Sequence, residues 1–176
     1  MTWIEVIDSA IKIGLGALIA GTSALLLSHS QHRRDLGRAR VDREFQILKD
    51  VAEQTERFTQ ATLRYWSLAS DYHRLRRQDQ SLSAKKQADL AESKDTLFNL
   101  FHELTSSEAK LLLLGKRDAQ SALRTYGDMV GAFRRDAMRE SELMTDAVID
   151  TWRTNILKTR ERLLHELHAS YKQLGP

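Results

Sequence analysis

The stretch IKIGLGALIAGTSALLLSHSQHRR, residues 11–34, is a long apolar run in a chain of 176 residues. Apart from Lys12 it carries no charge until Arg33 and Arg34. A run of this kind is a cleaved targeting signal, the buried helix of a bundle, or a membrane span that is retained. Each of these three interpretations leads to a different class of protein.

The charges around this run favour a retained span. A secretory signal has a positive amino-terminal region, whereas Glu5 and Asp8 precede Lys12 here. The strictly uncharged run, residues 13–28, has 16 residues; a span needs roughly 20, so this length also suits a buried helix. If the helix is extended toward the amino terminus, the apolar segment becomes long enough to span. This extension tolerates the charge of Lys12, because Lys12 can pair with Asp8 or reach the headgroups. We therefore predict a transmembrane helix over residues 1–29.

The arginines after the run predict its orientation. They are Arg33, Arg34, Arg38, Arg40 and Arg43. Because basic residues mark the cytoplasmic side of a span, we expect the amino terminus outside an inner membrane and residues 30–176 in the cytoplasm. We expect these arginines to set the topology and to contact anionic lipid. No base-stacking aromatic residues are interleaved with them, so nucleic acid is not favoured as a partner.

Small residues form one stripe along the predicted span. At about 100° per residue, one helical face collects Ala10, Gly14, Ala17, Gly21, Ala24 and Ser28. Small residues let helix backbones approach closely in lipid, so the stripe predicts a homo-oligomer, with a chance pattern as the alternative. Glu5, Asp8 and Lys12 lie roughly opposite this stripe. They are candidates for charged rings at the mouth of a pore, or for simple headgroup contacts.

The composition of the whole chain predicts an all-α fold. The only proline is Pro176, and there are eight glycines and no cysteines. No window shows the alternation of a strand. The lack of cysteine excludes disulfides, thiolate metal sites and cysteine nucleophiles. The formal net charge is only +3, less than a nucleic-acid-binding domain of this size usually concentrates.

Beyond the span, the apolar rhythm predicts an antiparallel bundle of long helices. The first helix should continue from the span to about residue 77, and Ser83 should cap the next one. Thr105, Ser106 and Ser107 offer caps for a separate short helix that Gly115 would end. The other helices are expected at about 84–104, 117–135 and 140–172. The predicted inward residues include Phe45, Leu48, Phe58, Tyr65, Thr96 (or Leu97), Phe98, Phe101, Val148, Trp152, Ile156 and Tyr171.

The sequence offers little catalytic or metal-binding chemistry. His29 and His32 are three residues apart, and Glu161, His165 and His168 share a helical face. Neither group has the further acidic and histidine ligands of a zinc or di-iron site. No phosphate-binding glycine loop or hydrolase motif is present. We therefore expect no metal, no cofactor and no enzymatic activity.

One hexapeptide is similar to a known family. RERLLH, Arg160 to His165, fits the R-x(4–6)-H signature of HEPN domains, which are all-helical ribonucleases. With the single anchor and the bundle, the chain resembles the small membrane-anchored accessory protein of RNA-guided, RNA-cleaving CRISPR systems. That family carries a divergent HEPN motif and assembles into a membrane pore. The resemblance implies that Arg160 and His165 occupy the motif, and that the activity is membrane permeabilisation in antiviral defence.

These features together predict a membrane-anchored, self-associating helical effector or channel-like assembly. Its expected partners are membrane lipid and further copies of the chain. Two alternatives come from other classes: a scaffold held by a passive anchor, and a membrane-tethered ribonuclease of the HEPN type. In the ribonuclease, His165 would serve as general acid or base.

Overall fold

A computed structural model describes residues 38–139 and 143–174 with their side chains, and residues 3–37 as helical backbone. The described residues contain no strand, which confirms the all-α class. Their helices are α1 (Trp3–Arg77), α2 (Ala84–Leu113), α3 (Arg117–Ala137) and α4 (Asp146–Lys172). The chain divides into two compact units, Met1–Arg43 and Glu44–Pro176.

The second unit is an antiparallel bundle, as predicted. Arg57 of α1 pairs with Glu103 near the end of α2 at 2.9 Å, whereas Asp71 near the end of α1 pairs with Lys86 at the start of α2 at 2.7 Å. This reversed order requires α1 and α2 to run in opposite directions. Helices α3 and α4 continue the alternation, because Lys116 before α3 bonds the carbonyl oxygen of Ser170 near the end of α4.

Aromatic rings from three helices fill the core of this bundle. Phe58 of α1 meets Tyr126 of α3 with ring centroids 5.6 Å apart, and Tyr65 meets Phe133 at 5.7 Å. Trp152 of α4 lies 5.9 Å from Phe133. The first two contacts are edge-to-face, which aromatic rings favour. The described core is built from residues 48–167, so it lies wholly within the second unit.

A glycine brings α2 and α3 close together. Gly127 of α3 is buried, and a Cβ atom there would lie 3.2 Å from Cδ2 of Leu104. Gly131, one turn later, would place a Cβ 3.6 Å from a flexible Arg135 nitrogen and meet nothing else as close. The close approach therefore depends on Gly127.

The turn between α2 and α3 confirms the role predicted for Gly115. This residue has φ of 70°, which costs an L side chain but not glycine. Its N–H donates to the carbonyl oxygen of Leu112 at 2.9 Å, and the N–H of Lys116 donates to that of Leu111 at 2.9 Å. This pair of bonds is a Schellman motif, which satisfies the last carbonyl groups of α2.

The cap predicted at Ser83 is also confirmed, because its hydroxyl accepts the N–H of Lys86 at 3.4 Å. The predicted start of the last helix, at about residue 140, is wrong. Helix α4 begins at Asp146, where the hydroxyl of Thr145 accepts the N–H of Val148 at 3.4 Å. A side chain that receives the first free N–H groups fixes the start of a helix at that point.

The predicted break at residues 105–107 is wrong, since α2 runs unbroken to Leu113. The hydroxyl of Thr105 donates to the carbonyl oxygen of Phe101 at 3.1 Å, and that of Ser107 donates to Gln54 of α1. Both hydroxyls are thus engaged, and neither caps a new helix. The buried face Leu97, Leu104, Ser107 and Leu111 continues in helical register through this segment and keeps it helical.

Several predicted core positions lie on the surface. Phe98 is 52 % exposed, Val148 45 % and Tyr171 51 %, and Phe45 is also exposed. Their neighbours Leu97 and Ile149 are buried instead. Adjacent apolar residues lie about 100° apart around a helix, so packing against the other helices selects one of the two.

Candidate functional site

Most of the predicted membrane residues lie outside the residues whose side chains the structure describes. These are the transmembrane helix over residues 1–29, with Glu5, Asp8, Lys12, Ala10, Gly14, Ala17, Gly21, Ala24 and Ser28, and the arginines Arg33 and Arg34. Arg38, Arg40 and Arg43 are described and exposed. Among the residues that the structure describes, none of the helices has an apolar stretch of the length that a membrane crossing needs.

The two residues of the HEPN-like hexapeptide have different surroundings. Arg160 of α4 bonds Glu56 of α1 through Nε at 2.9 Å and through Nη2 at 2.7 Å. The hydrogen bond to Glu56 raises the pKa of this guanidinium, so the ion pair ties α4 to α1. His165 is exposed on α4. The two residues are five positions apart, about 140° around the helix, so one protomer does not bring them together on one face.

Metal ligands do not gather in the described residues, where no group of three or more His, Cys, Asp or Glu side chains could hold an ion. His165, His168 and Glu161 are all exposed on α4. His29 and His32 lie outside the described side chains.

A buried tyrosine forms a hydrogen bond that the sequence did not indicate. The hydroxyl of Thr59 donates to the carbonyl oxygen of Thr55 at 2.8 Å and accepts the hydroxyl proton of Tyr126 at 2.8 Å. Burial raises the pKa of Tyr126 to about 12, so its hydroxyl stays protonated at neutral pH. This bond fixes the register of α1 against α3 and has a structural role.

A buried histidine holds the connection between α3 and α4. His73 of α1 is fully buried, and its Nδ1 accepts the N–H of Met144 at 3.3 Å. Its Nε2 must then carry the proton, which it donates to the carbonyl oxygen of Ala137 at 3.2 Å. The neutral ring therefore joins the end of α3 to the residues before α4.

An arginine one turn later reinforces this contact. Arg77 donates to the carbonyl oxygen of Met144 and pairs with the carboxylate of Asp146 in the first turn of α4. Burial lowers the pKa of His73 and outweighs the hydrogen bond to Ala137, which raises it; the positive charge of Arg77 lowers it as well. Because the net shift is downward from 6.5, His73 is neutral in the folded bundle at pH 7.

The strongest candidate for a ligand site is a cavity of about 410 Å³ between α1, α2 and the end of α3. We call it the basic cavity. Its walls are formed by Tyr65, Ala69, Tyr72, Arg76, Ser81, Leu82, Gln87, Leu90, Ala91, Lys94, Ala137, Met138 and Arg139. Three of these residues are cations, and none of the described residues that line the cavity is an acid.

The cations come from three sides of the basic cavity. Arg76 lies near the end of α1, Lys94 in α2 and Arg139 just after α3. Arg139 lies 3.7 Å from Asp136, whereas Arg76 and Lys94 form no hydrogen bond or ion pair within the described residues. The first turn of α2 contains no acidic residue of its own, so its dipole adds a partial positive charge there.

In a second cavity, the cations are accompanied by acidic residues. It has a volume of about 370 Å³ and lies between α2 and α3. Its cations, Arg124, Arg134 and Arg135, are accompanied by Glu108 and Asp128. Arg124 pairs directly with Glu108, so charges of both signs compensate each other in this groove.

Nothing in the sequence indicated the basic cavity. Arg76, Lys94 and Arg139 are far apart along the chain, and each follows the pattern of an ordinary solvated helix face. Only the packing of three helices brings them together. Comparison with known proteins adds no relative: no family model, no curated protein and no solved structure matches this chain.

Proposed function

We propose that this chain is a membrane-anchored, self-associating helical effector whose anchor is the first part of α1. The observation that supports this proposal is the length of α1, which is 75 residues and contributes to both compact units. The bundle has a described core of its own, formed by residues 48–167. The uncharged residues 13–28 therefore need a different apolar environment, which the interior of a bilayer provides.

In this proposal the bundle lies in the cytoplasm and controls how the anchors assemble. The stripe from Ala10 to Ser28 packs anchors against each other, as small residues do in membranes. Glu5, Asp8 and Lys12 then form rings at the outer mouth of a channel-like assembly. The resemblance to the CRISPR accessory family suggests membrane permeabilisation in antiviral defence as the biological role. The function requires no enzymatic step.

The decisive experiment measures the oligomeric state and membrane leakage of the full chain. The protein should sediment with membranes, resist extraction at high pH, run as an oligomer in detergent, and release dye from vesicles. Replacing Gly14 and Gly21 by leucine should give monomers and abolish the leakage, because leucine keeps the helices apart.

A matched control uses the opposite face of the same helix. Gly16→Leu with Ser23→Leu has the same spacing of seven residues but lies about 200° further around the helix. This variant should keep both the oligomer and the leakage. Equal behaviour of the two double variants would exclude the stripe as the packing face. A wild-type chain that is monomeric in detergent would favour the scaffold with a passive anchor.

A separate assay addresses the ribonuclease alternative. Arg160→Ala with His165→Ala should leave membrane leakage intact, and the wild-type chain should leave labelled RNA uncut. Because Arg160 also bonds Glu56, Glu56→Gln serves as a control that weakens the ion pair and keeps the hexapeptide. RNA cleavage by the wild type that only the Arg160/His165 variant loses would replace the effector with a ribonuclease.

A further inference from the structure

We infer that the basic cavity binds a small phosphorylated ligand whose phosphate is attached to an apolar or planar body. A mononucleotide has the required size and chemistry. This inference concerns the bundle alone and goes beyond the proposed membrane function. Binding at the cavity and assembly in the membrane are measured by different experiments, so failure of one leaves the other in place.

The described charges at the basic cavity favour an anion: Arg139 is paired with Asp136, whereas Arg76 and Lys94 have no acidic partner among the described residues. Arg76, Lys94 and Arg139 line one space, and no acidic side chain is among the described residues around it. Arg76 and Arg139 are exposed and Lys94 is partly buried, so their like charges add to one positive potential at the cavity, which water and salt screen in part. The start of α2, marked by Ser81, Leu82 and Gln87, adds to this potential. An anion offsets all of these terms at once.

The number of donors favours phosphate over a carboxylate. Two of the cations are arginines, which bind phosphate oxygens through a planar fork of N–H groups, and Lys94 adds an ammonium group. A carboxylate has two oxygens and one charge. A phosphate monoester offers three oxygens and a charge of about −1.5 to −2 at pH 7. This charge is close to the two positive charges of Arg76 and Lys94, which no described residue pairs.

A tyrosine hydroxyl in the wall supplies a further donor. Tyr65 is only 2 % exposed, and its ring packs against Phe133 with centroids 5.7 Å apart. None of the described residues bonds its hydroxyl. Burial raises the pKa of Tyr65, so the group is an O–H donor at neutral pH. The Tyr65 hydroxyl is not among the fully buried unpaired atoms of the described residues, so water reaches it, and a bound oxyanion would take the place of that water.

The apolar part of the cavity wall is the reason why the ligand should carry an apolar or planar body beside its phosphate. Leu82, Leu90 and Met138 line the cavity with three alanines, and Tyr72 presents a partly buried ring. Inorganic phosphate alone would leave this apolar surface uncovered. The volume of about 410 Å³ falls in the range of about 300–1,000 Å³ that small-molecule sites occupy.

The binding test compares four probes by calorimetry on the full chain in detergent. The probes are AMP, phenyl phosphate, inorganic phosphate and adenosine. AMP and phenyl phosphate should both bind, and AMP should bind at least about tenfold more tightly than phosphate or adenosine alone, because it engages both parts of the site. No binding of either organic phosphate would overturn the inference. Adenosine as tight as AMP would overturn the anion site, and phosphate as tight as AMP would overturn the apolar body.

Two variants assign the binding to the cavity. Arg76→Gln with Lys94→Gln should weaken AMP binding by about tenfold or more, since two charge-assisted contacts are lost. The control, Arg117→Gln with Lys158→Gln, removes the same charge from exposed positions that do not line the cavity. The control should bind AMP as the wild type does. Equal losses in both variants would show that only net charge matters and would overturn the site.

Tyr65→Phe tests the inference without disturbing the fold. Phenylalanine keeps the ring that packs on Phe133 and removes only the unpaired hydroxyl. The variant should lose roughly fivefold to tenfold in affinity for AMP, while the melting temperature of the free protein stays the same or rises. Unchanged affinity would exclude the hydroxyl as a ligand donor. A lower melting temperature without ligand would show that it has a partner within the protein.

Discussion

Replacing His73 by phenylalanine should destabilise the bundle by about 2–4 kcal/mol at pH 8. Phenylalanine keeps a ring of similar size but can neither donate nor accept. It therefore leaves the carbonyl oxygen of Ala137 and the N–H of Met144 without the partners found at 3.2 and 3.3 Å. Both residues are buried, so water cannot easily replace the imidazole. Each unpaired buried group costs about 1–3 kcal/mol, and the sum lies toward the lower end because both bonds are long.

The same residue should make stability depend on pH. Burial, and then the charge of Arg77, lower the pKa of His73 below its usual value of 6.5. The unfolded chain therefore takes up the proton first as the pH falls. The stability that the neutral ring contributes is complete above about pH 6.5 and decreases below it, toward the folded pKa. The slope from this one group is at most about 1.4 kcal/mol per pH unit.

Urea unfolding of the full chain in detergent, followed by circular dichroism at pH 8 and pH 5, measures both effects. His73→Phe should unfold at a lower urea concentration than the wild type at pH 8, and the difference should shrink at pH 5. His168 is exposed on α4, so His168→Phe is a matched control that should change neither value. An unchanged midpoint for His73→Phe at pH 8, or a difference from the wild type that is equal at both pH values, would refute the reasoning.

Five further single variants and one double variant test contacts inside the bundle by the same urea unfolding. Thr59→Val and Tyr126→Phe should each cost about 1–3 kcal/mol, and the double variant should cost clearly less than their sum, because the two hydroxyls bond each other; additive costs would deny this bond. Gly131→Ala should stabilise the helix by about 0.5–1 kcal/mol, whereas Gly127→Ala should gain less or destabilise, because its Cβ is crowded; equal effects would contradict the close helix approach. Gly115→Ala should cost about 1–2 kcal/mol, because φ is positive there; no loss of stability would contradict that conformation.

The sequence determined the features that depend on a few neighbouring residues. The all-helical class follows from composition, and Ser83 and Gly115 mark helix ends through their own backbone chemistry. The antiparallel order follows from long helices joined by short connections. Each of these inferences needs only local geometry, which is why it could be drawn without knowledge of packing.

The tertiary structure alone decided which residues face the core. Leu97 is buried and Phe98 exposed, and Ile149 is buried and Val148 exposed, although all four are apolar. The continuity of α2 through Ser107 was decided in the same way, because Gln54 of α1 engages the hydroxyl that the sequence offered as a cap. A serine hydroxyl can cap a new helix or bond a neighbouring one, and only the packing of that neighbouring helix decides between the two.

The sites also depend on contacts between residues that are distant in sequence. His73 is one histidine in a polar segment until the end of α3 and the residues just before α4 bond its two nitrogens. The basic cavity exists only where α1, α2 and the end of α3 converge. The sequence indicates an anchor through hydrophobicity and charge along one segment. Packing decides the rest, because hydrogen bonds and cavities require groups that only the folded chain brings within a few ångströms.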